Sequence, residues 1–161
     1  MSDPLWLKIA RTDEGLREVP GAQTAPKIAG WLQKLGAWWS SDEVPWCGTA
    51  VAAWMQQAGI SLPVHWYRAK GWLEWGYACR PTLGAVVVFE REGGGHVGLL
   101  VGYDDKRNAL LVLGGNQGNC VSVRPFSTDR VLGYRWPSGG EAPTNALPYL
   151  ASTQDFSKDE A

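Results

Sequence analysis

The sequence predicts an α+β fold, in which helices come first along the chain and antiparallel strands follow. Apolar residues recur with helical spacing in the first third of the chain. From Gly84 to Trp136 the pattern changes to five short β-rich runs, and the first four are separated by the turn-forming segments REGGG, DDKRN and NQGN. Short turns join antiparallel neighbours. We therefore expect the helices to pack on one face of a five- to six-stranded antiparallel sheet.

Three helices are expected before the strands. Helical periodicity covers residues from about 5 to 19. Thr24 is a candidate cap for a second helix, which ends at Gly36. The third helix follows the polar segment SSDEVP, covers WCGTAVAAWMQQA and stops at Gly59. Residues 62–81 are expected to form a loop with a short helical turn.

The five β-rich runs complete one domain over residues 1–137, after which the composition changes. The runs are GAVVVFE, HVGLLVGY, ALLVLGG, CVSVRPF and RVLGYRW. Residues 138–161 are polar with scattered apolar positions, which indicates a C-terminal tail. We expect this tail to be ordered only if its apolar residues dock on the domain; these are Leu147, Tyr149, Leu150 and Phe156.

Composition and charge exclude several classes of function. The chain has 161 residues and a formal net charge of −1, which disfavours a nucleic-acid partner. It contains no run of 18 apolar residues and no basic segment followed by an apolar one, so neither a membrane span nor a secretory signal is expected. Its three cysteines are an odd number, and two histidines without a CxxC pair do not indicate a zinc site. We expect no metal or organic cofactor.

Cys47 is the first candidate for chemistry, because it lies in the opening turn of the third helix, two residues after Pro45. Unpaired N–H groups and the helix dipole favour a thiolate at that position, and the same groups can receive an oxyanion. Asp42 and Glu43 are candidates to cap the helix. The alternative is that Cys47 has only a structural role, as a small buried apolar residue.

His96 is the candidate base. It is expected at the first position of a strand, behind the glycine run GGG. An imidazole at a strand end that faces a helix N-terminus can take the proton of a thiol. The alternative is a solvent-facing histidine of a turn.

Asn116 is the candidate residue that orients His96. It follows Gly115 at the end of the next strand, and antiparallel pairing can bring that end beside His96. The side-chain carbonyl would accept the Nδ1 proton of the imidazole and so fix its tautomer. Gln117 is a weaker candidate for this role and a candidate for binding substrate. The alternative for Asn116 is ordinary turn chemistry.

The chain has ten tryptophans, and most are expected in the core or in the wall of a groove. Five lie near the candidate residues in sequence or in the loop after the third helix. These five, which could line a groove around a substrate, are Trp38, Trp39, Trp46, Trp66 and Trp72.

These motifs resemble those of a known family. PWCGTAVAAWMQQAGI, GHVGLLVGY, LGGNQ and VLGYRWP together resemble the small NlpC/CHAP-type branch of papain-like cysteine peptidases, over residues 28–137. The resemblance implies a papain-like fold and a Cys-His-Asn triad, carried here by Cys47, His96 and Asn116. One departure is that many members have Glu before the Asn of the third motif, where this chain has Gly114 and Gly115.

The resemblance also implies an activity. It is hydrolysis of a peptidoglycan amide, either within the stem peptide or its cross-link, or between muramic acid and L-alanine. Members act in cell lysis as phage endolysins or secreted antibacterial effectors, so a holin, a secretion system or an immunity protein is an expected partner. The protein is expected to be a monomer, made in the cytoplasm and active in the periplasm or cell wall. The alternatives are a non-catalytic wall-binding module and an isopeptidase or deamidase that acts on a protein.

Overall fold

The computed structural model describes residues 3–19, 24–40, 45–139, 142–143 and 145–157, and it confirms the α+β fold. Three α-helices precede a six-stranded antiparallel sheet in this part of the chain. The helices are α1 (Leu5–Thr12), α2 (Pro26–Leu35) and α3 (Cys47–Gln57). The candidate caps Asp42 and Glu43 lie outside the described residues.

The sheet has the strand order β1-β6-β2-β3-β4-β5, with every neighbouring pair antiparallel. Its strands are β1 (Tyr77–Ala78), β2 (Val86–Arg91), β3 (Gly94–Asp104), β4 (Ala109–Gly114), β5 (Ser122–Ser127) and β6 (Val131–Trp136). Short 3₁₀ segments cover Ala69–Glu74 and Thr128–Arg130. The first of these is the helical turn expected in the loop after α3, whereas β1 was not predicted because two residues carry too little pattern.

The first helix is shorter than predicted. It ends at Thr12 rather than near residue 19, so the predicted end is wrong. The residues that follow pair instead with the segment before β5: the N–H of Gly15 donates to Val121 O, and the N–H of Val121 donates to Leu16 O over 2.7 Å. These long-range hydrogen bonds replace the helical ones that the local pattern favoured.

The second helix ends as predicted, with Gly36 in the left-handed conformation at φ 80°. Its N-cap is Ala25 and not Thr24, so the predicted cap is wrong. Pro26, which has no N–H to satisfy, takes the first helical position.

One buried carboxylate joins the three helices. Asp13, directly after α1, accepts a hydrogen bond from Trp54 Nε1 of α3 over 2.9 Å and forms an ion pair with Lys27 of α2. A buried charge is tolerated when it is paired and hydrogen-bonded in this way. The position of α3, which carries the candidate nucleophile, therefore depends on both neighbouring helices.

The third helix is the central element of the core. Its first nine residues, Cys47 through Met55, are buried. It contacts α1 and α2 as well as β3 and β4, so it has no solvent-facing stripe along most of its length.

The described part of the C-terminal tail docks on the sheet. The N–H of Tyr103 at the end of β3 donates to Pro148 O, and the N–H of Leu150 donates to Tyr103 O, both over 2.9 Å. Near the end of the tail, the N–H of Ser157 donates to Pro125 O over 2.8 Å. Leu147 packs against the core. In this described part the docking is made by backbone hydrogen bonds and by Leu147, whereas Tyr149 and Leu150 are exposed.

Candidate active site

Cys47 is the first residue of α3 and is almost entirely buried, with 5% of its surface exposed. The sulfur lies close to the backbone N–H groups of Val97 on β3 and of Gly48, and both groups act on the pKa of its thiol. Val97 is the neighbour of His96 along β3. The sulfur of Cys47 therefore lies against the strand residue next to the candidate base.

Burial raises the pKa of the Cys47 thiol above its ordinary value. The N–H groups of Val97 and Gly48 and the positive charge of Arg91 oppose this effect without cancelling it. At neutral pH the thiol consequently keeps its proton. A reaction through this sulfur needs a base that removes the proton as the bond to the substrate forms.

His96 is fully buried in a stack of aromatic rings. Its imidazole lies almost parallel to the ring of Phe126, with centroids 5.2 Å apart, and is also stacked with Phe89 at 6.4 Å. It is the third residue of β3 and not the first, because the strand begins at Gly94 inside the glycine run. The two rings restrict the orientation of the imidazole plane.

Gln117 is the residue that fixes the tautomer of His96. Its Oε1 lies 2.9 Å from His96 Nε2, while its own Nε2 donates to the carbonyls of Val112 and Ser122 over 3.1 and 2.8 Å. These two carbonyls accept only, so they determine which end of the amide is the nitrogen. The amide oxygen must then accept from His96, which puts the proton on Nε2. The lone pair of neutral His96 is therefore on Nδ1, the nitrogen that can act as a base.

This geometry differs from the prediction for Asn116. The sequence analysis assigned the orienting bond to Asn116 and Nδ1, whereas the described bond joins Gln117 and Nε2. Asn116 is buried beside Gln117 with φ at 62°, and its part in orienting His96 stays a prediction. The prediction that Gln117 binds substrate is wrong. Its side chain is fully buried, and the oxygen and nitrogen of its amide both form hydrogen bonds within the protein.

Two glycines before Asn116 are required by close packing at the site. A Cβ at Gly115 would lie 2.7 Å from the ring of Trp46 and 2.8 Å from the Cβ of Ala50. A Cβ at Gly114 would lie 2.4 Å from Gln117 Oε1. The absence of side chains here lets α3 and the Gln117 amide approach the end of β4.

Three of the five tryptophans that were predicted to line a groove do lie at a surface pocket. Trp38, Trp39 and Trp66 border a cavity of about 540 Å³. The prediction is wrong for Trp46 and Trp72, which are buried. The indole N–H of Trp46 donates to Glu18 over 2.9 Å, and that of Trp72 donates to the carbonyl of Trp66 over 3.0 Å. The first of these bonds anchors the start of α3.

The pocket is connected to the start of α3 by direct packing. A Cβ at Gly48 would lie 2.5 Å from the carbonyl oxygen of Trp66 and 3.1 Å from the carbonyl carbon of Tyr67. Gly48 follows Cys47 in sequence, so the backbone of the pocket loop rests on the residue next to the candidate nucleophile.

Sequence analysis missed Arg91 and the two aromatic rings around His96. Arg91 ends β2 opposite Gly94 in the β2–β3 hairpin, and its charge acts on the Cys47 thiol. Phe89 is paired directly with His96 in the same hairpin. The register of this hairpin could have predicted the contact between Phe89 and His96 from the sequence. A turn centred on Glu92 and Gly93 places these two residues opposite each other.

Other candidate features are limited within the described ranges. All three cysteines, Cys47, Cys79 and Cys120, are free thiols. No group of three or more His, Cys, Asp or Glu side chains among the described residues is placed to hold a metal ion. Among the same residues, no helix combines the length and apolarity that crossing a membrane requires.

No protein-family profile matches this chain, and comparisons with curated proteins and with solved structures also give no match.

Proposed function

We propose that this protein is a cysteine hydrolase that cleaves an amide bond of peptidoglycan, in or next to the stem peptide. One observation carries the proposal. The N–H of Val97, the neighbour of His96, opposes the rise in the pKa of the Cys47 thiol, and Gln117 holds His96 in the tautomer whose lone pair is on Nδ1. A thiol near the strand residue next to an oriented imidazole supports acyl transfer, which needs a nucleophile, a base and an orienting group.

The reaction proceeds in two steps. As the Cys47 sulfur attacks the amide carbonyl, His96 Nδ1 takes the thiol proton and a tetrahedral oxyanion forms. The C–N bond then breaks, His96 returns the proton to the departing amine, and a thioester remains on Cys47. In the second step His96 removes a proton from water, hydroxide adds to the thioester, and the carboxylic acid leaves as the thiol is restored. N–H groups in the first turn of α3 would stabilise both oxyanions.

Burial of the reacting groups makes an opening step part of this proposal. Cys47 is almost fully covered and His96 is fully buried, so a substrate carbonyl reaches the sulfur only when the groups above it are displaced. The raised pKa of the Cys47 thiol agrees with a resting state that keeps the sulfur neutral and protected. Substrate binding would supply the free energy for opening.

The decisive test is the release of stem peptides from purified sacculi. We expect Cys47→Ala to lower the release rate by at least about 10⁴-fold, because the thioester cannot form without the sulfur. Cys79→Ala is the matched control, since Cys79 is a free and half-buried thiol in a loop. It should retain full activity. Circular dichroism should show both variants folded, and undiminished release by a folded Cys47→Ala protein would refute the proposal.

A non-catalytic wall-binding module is the second candidate, and one observation favours it. The thiol and imidazole are buried, whereas the pocket bordered by Trp38, Trp39 and Trp66 is open. A binding module would be retained on sacculi without producing new amino groups. The hydrolase would generate one new amine for each amide cleaved.

We propose that the biological setting is cell lysis, with the protein acting on the wall as a phage endolysin or as an antibacterial effector. The chemistry is the same in both. A neighbouring holin gene would indicate the first, and a neighbouring gene whose product inhibits the enzyme would indicate the second.

A further inference from the structure

The surface pocket beside α3 is lined mainly by aromatic and apolar residues. We call it the aromatic pocket and define it by its lining residues, Leu35, Gly36, Ala37, Trp38, Trp39, Trp66, Tyr67 and Arg68. Its volume of about 540 Å³ is in the range of small-molecule sites. It is formed by the end of α2 and by the loop between α3 and the first 3₁₀ segment.

The rings in this pocket pack against one another; Trp38 is exposed, whereas Trp39, Trp66 and Tyr67 are half-buried. Trp38 is 91% exposed and meets the edge of Trp39 with ring centroids 5.3 Å apart. Trp39 and Trp66 are stacked, with centroids 5.9 Å apart and planes 21° from parallel. Tyr67 packs edge-on against both Trp39 and Trp66. A large apolar side chain that stays in water lacks the stabilisation of about 1.5–3 kcal/mol that its full burial would give. A cluster of this kind marks a binding surface.

Three other tryptophans of the chain have a structural role, in which the ring is buried and its N–H group is hydrogen-bonded within the protein. Trp6, Trp54 and Trp75 are buried, and each donates its indole N–H to a protein oxygen over 2.7 to 2.9 Å. Within the described residues no oxygen accepts from the indole N–H of Trp38 or Trp39. The aromatic pocket therefore offers flat apolar faces together with N–H donors that a ligand can use.

The chemistry of the pocket favours a sugar over an extended peptide. A pyranose ring has an apolar face of C–H groups that can lie on an aromatic ring, and hydroxyl groups at its edge that accept from N–H donors and from a cation. Arg68, whose guanidinium lies 5.5 Å from the centroid of the Tyr67 ring, supplies such a cation. An extended peptide is usually bound through the hydrogen-bonding edge of a strand. The lining segments of this pocket contain no strand.

The pocket also adjoins the candidate active site, because its Trp66–Tyr67 backbone packs on Gly48, the residue after Cys47. A ligand held there lies next to the start of α3. We propose that the aromatic pocket binds an amino-sugar ring of the glycan strand, and that this contact contributes to recognition of the substrate at Cys47. The inference rests on the proposed function for the identity of that substrate.

Sugar binding can be measured without any catalytic step. The probe is a β-1,4-linked tetramer of N-acetylglucosamine, titrated by calorimetry into the Cys47→Ala protein. We expect a dissociation constant of about 0.1–1 mM, or about 4–5.5 kcal/mol of binding free energy. Trp39→Ala and Trp66→Ala, each made in the Cys47→Ala background, should weaken binding by about 10-fold or more. Tyr149→Ala is the matched control, since Tyr149 is also an exposed aromatic residue and lies outside the pocket.

Activity provides the second arm of the test. The wild-type protein should cleave a muropeptide that carries its sugar with a higher kcat/KM than the same stem peptide without sugar. Trp39→Ala should remove most of this difference, whereas Tyr149→Ala should leave cleavage of both substrates unchanged. The inference is overturned if the folded protein does not bind the tetramer, or if Tyr149→Ala weakens binding as much as the pocket variants. Sugar binding by a protein that cleaves nothing would instead refute the proposed hydrolase.

Discussion

Gln117 determines which nitrogen of His96 is basic, although it has no direct contact with the candidate nucleophile in the described hydrogen bonds. The carbonyls of Val112 and Ser122 hold the amide in one orientation, and the amide oxygen then holds the proton of His96 on Nε2. A neutral amide can do this without adding charge to the buried ring stack formed by His96, Phe89 and Phe126. Gln117 is in this sense a positioning residue.

Two substitutions at Gln117 separate positioning from packing. Gln117→Leu removes the acceptor, so we expect kcat to fall by about 100-fold because the imidazole loses its orientation. Gln117→Glu keeps the acceptor and adds a negative charge that favours protonated His96. The acid limb of the pH–rate profile should then move to higher pH. The measurement is the pH dependence of kcat/KM for both variants.

A packing role alone predicts a different result for this pair. Both substitutions leave the carbonyls of Val112 and Ser122 without their amide donor, so both should cost about 1–3 kcal/mol of stability. If loss of packing were the whole effect, the two variants would have pH profiles of the same shape as the wild type.

At the scale of elements, the start of α3 is held from three sides. Glu18 accepts from the indole N–H of Trp46, the ring of Trp46 packs against the backbone at Gly115, and the Trp66–Tyr67 backbone rests on Gly48. The candidate nucleophile Cys47 thus lies where the segment after α1, the β4–β5 connection and the Trp66–Tyr67 loop meet. Rigid support of this kind is what precise placement of a reacting atom requires.

Substitution of Gly48 tests the closeness of this packing. A Cβ there meets backbone atoms at 2.5 and 3.1 Å, so the loop must shift. We expect Gly48→Ala to destabilise the fold by about 1–3 kcal/mol, as overpacking does in other cores. Gly30→Ala in α2 is the control, because a Cβ at Gly30 meets no atom within 4 Å.

Urea denaturation of the two glycine variants gives the comparison. Alanine has a higher helix propensity than glycine. Gly30→Ala should therefore leave the free energy of unfolding unchanged or raise it by up to about 1 kcal/mol, and the urea midpoint should rise accordingly. Equal midpoints for Gly48→Ala and the wild type would show that the loop does not rest on α3.

At the scale of the whole molecule, the described part of the C-terminal tail is hydrogen-bonded to the end of β3. Asp104 at the end of β3 accepts hydrogen bonds from both the N–H and the hydroxyl of Ser152, each over 2.8 Å. The hydroxyl of Ser152, followed by backbone N–H groups that include those of Arg107 and Lys106, holds the pKa of Asp104 below its ordinary value despite its burial. One side chain therefore connects the β3–β4 turn to the tail.

The direction of this pKa shift predicts how the tail responds to acid. Since the folded state favours the charged carboxylate, the contribution of Asp104 to stability is present above its ordinary pKa and is lost as pH falls through the lowered one. Asp104→Asn should lower the free energy of unfolding at pH 7. Below about pH 4 the difference in stability between this variant and the wild type should become smaller. Urea midpoints at pH 7 and pH 3 measure both effects.

Asp105→Asn is the control for this prediction, because Asp105 is the exposed neighbour of Asp104. It should match the wild type at both pH values. Limited proteolysis at pH 7 should cleave the tail faster in Asp104→Asn than in Asp105→Asn. Identical cleavage rates would mean that Asp104 does not hold the tail.

Local signals in the sequence were sufficient for much of the fold. The helix that ends at Gly36, the helix that begins at Cys47 and the hairpin that carries His96 were all predicted, because capping, periodicity and turn chemistry act between residues close in the chain. The same signals placed Cys47 at a helix start. They failed after Thr12, where pairing with Val121 over a long sequence distance outweighed helical propensity.

Only the tertiary structure decided how the site is assembled. The choice of Gln117 over Asn116 at His96 Nε2 depends on a left-handed backbone at Asn116 and on two carbonyls from different strands. The contrast between exposed Trp38 and buried Trp72 depends on what packs around each ring. Sequence patterns report which residues share a face or end an element, whereas distances of about 3 Å between distant residues are set by the packing of the whole chain.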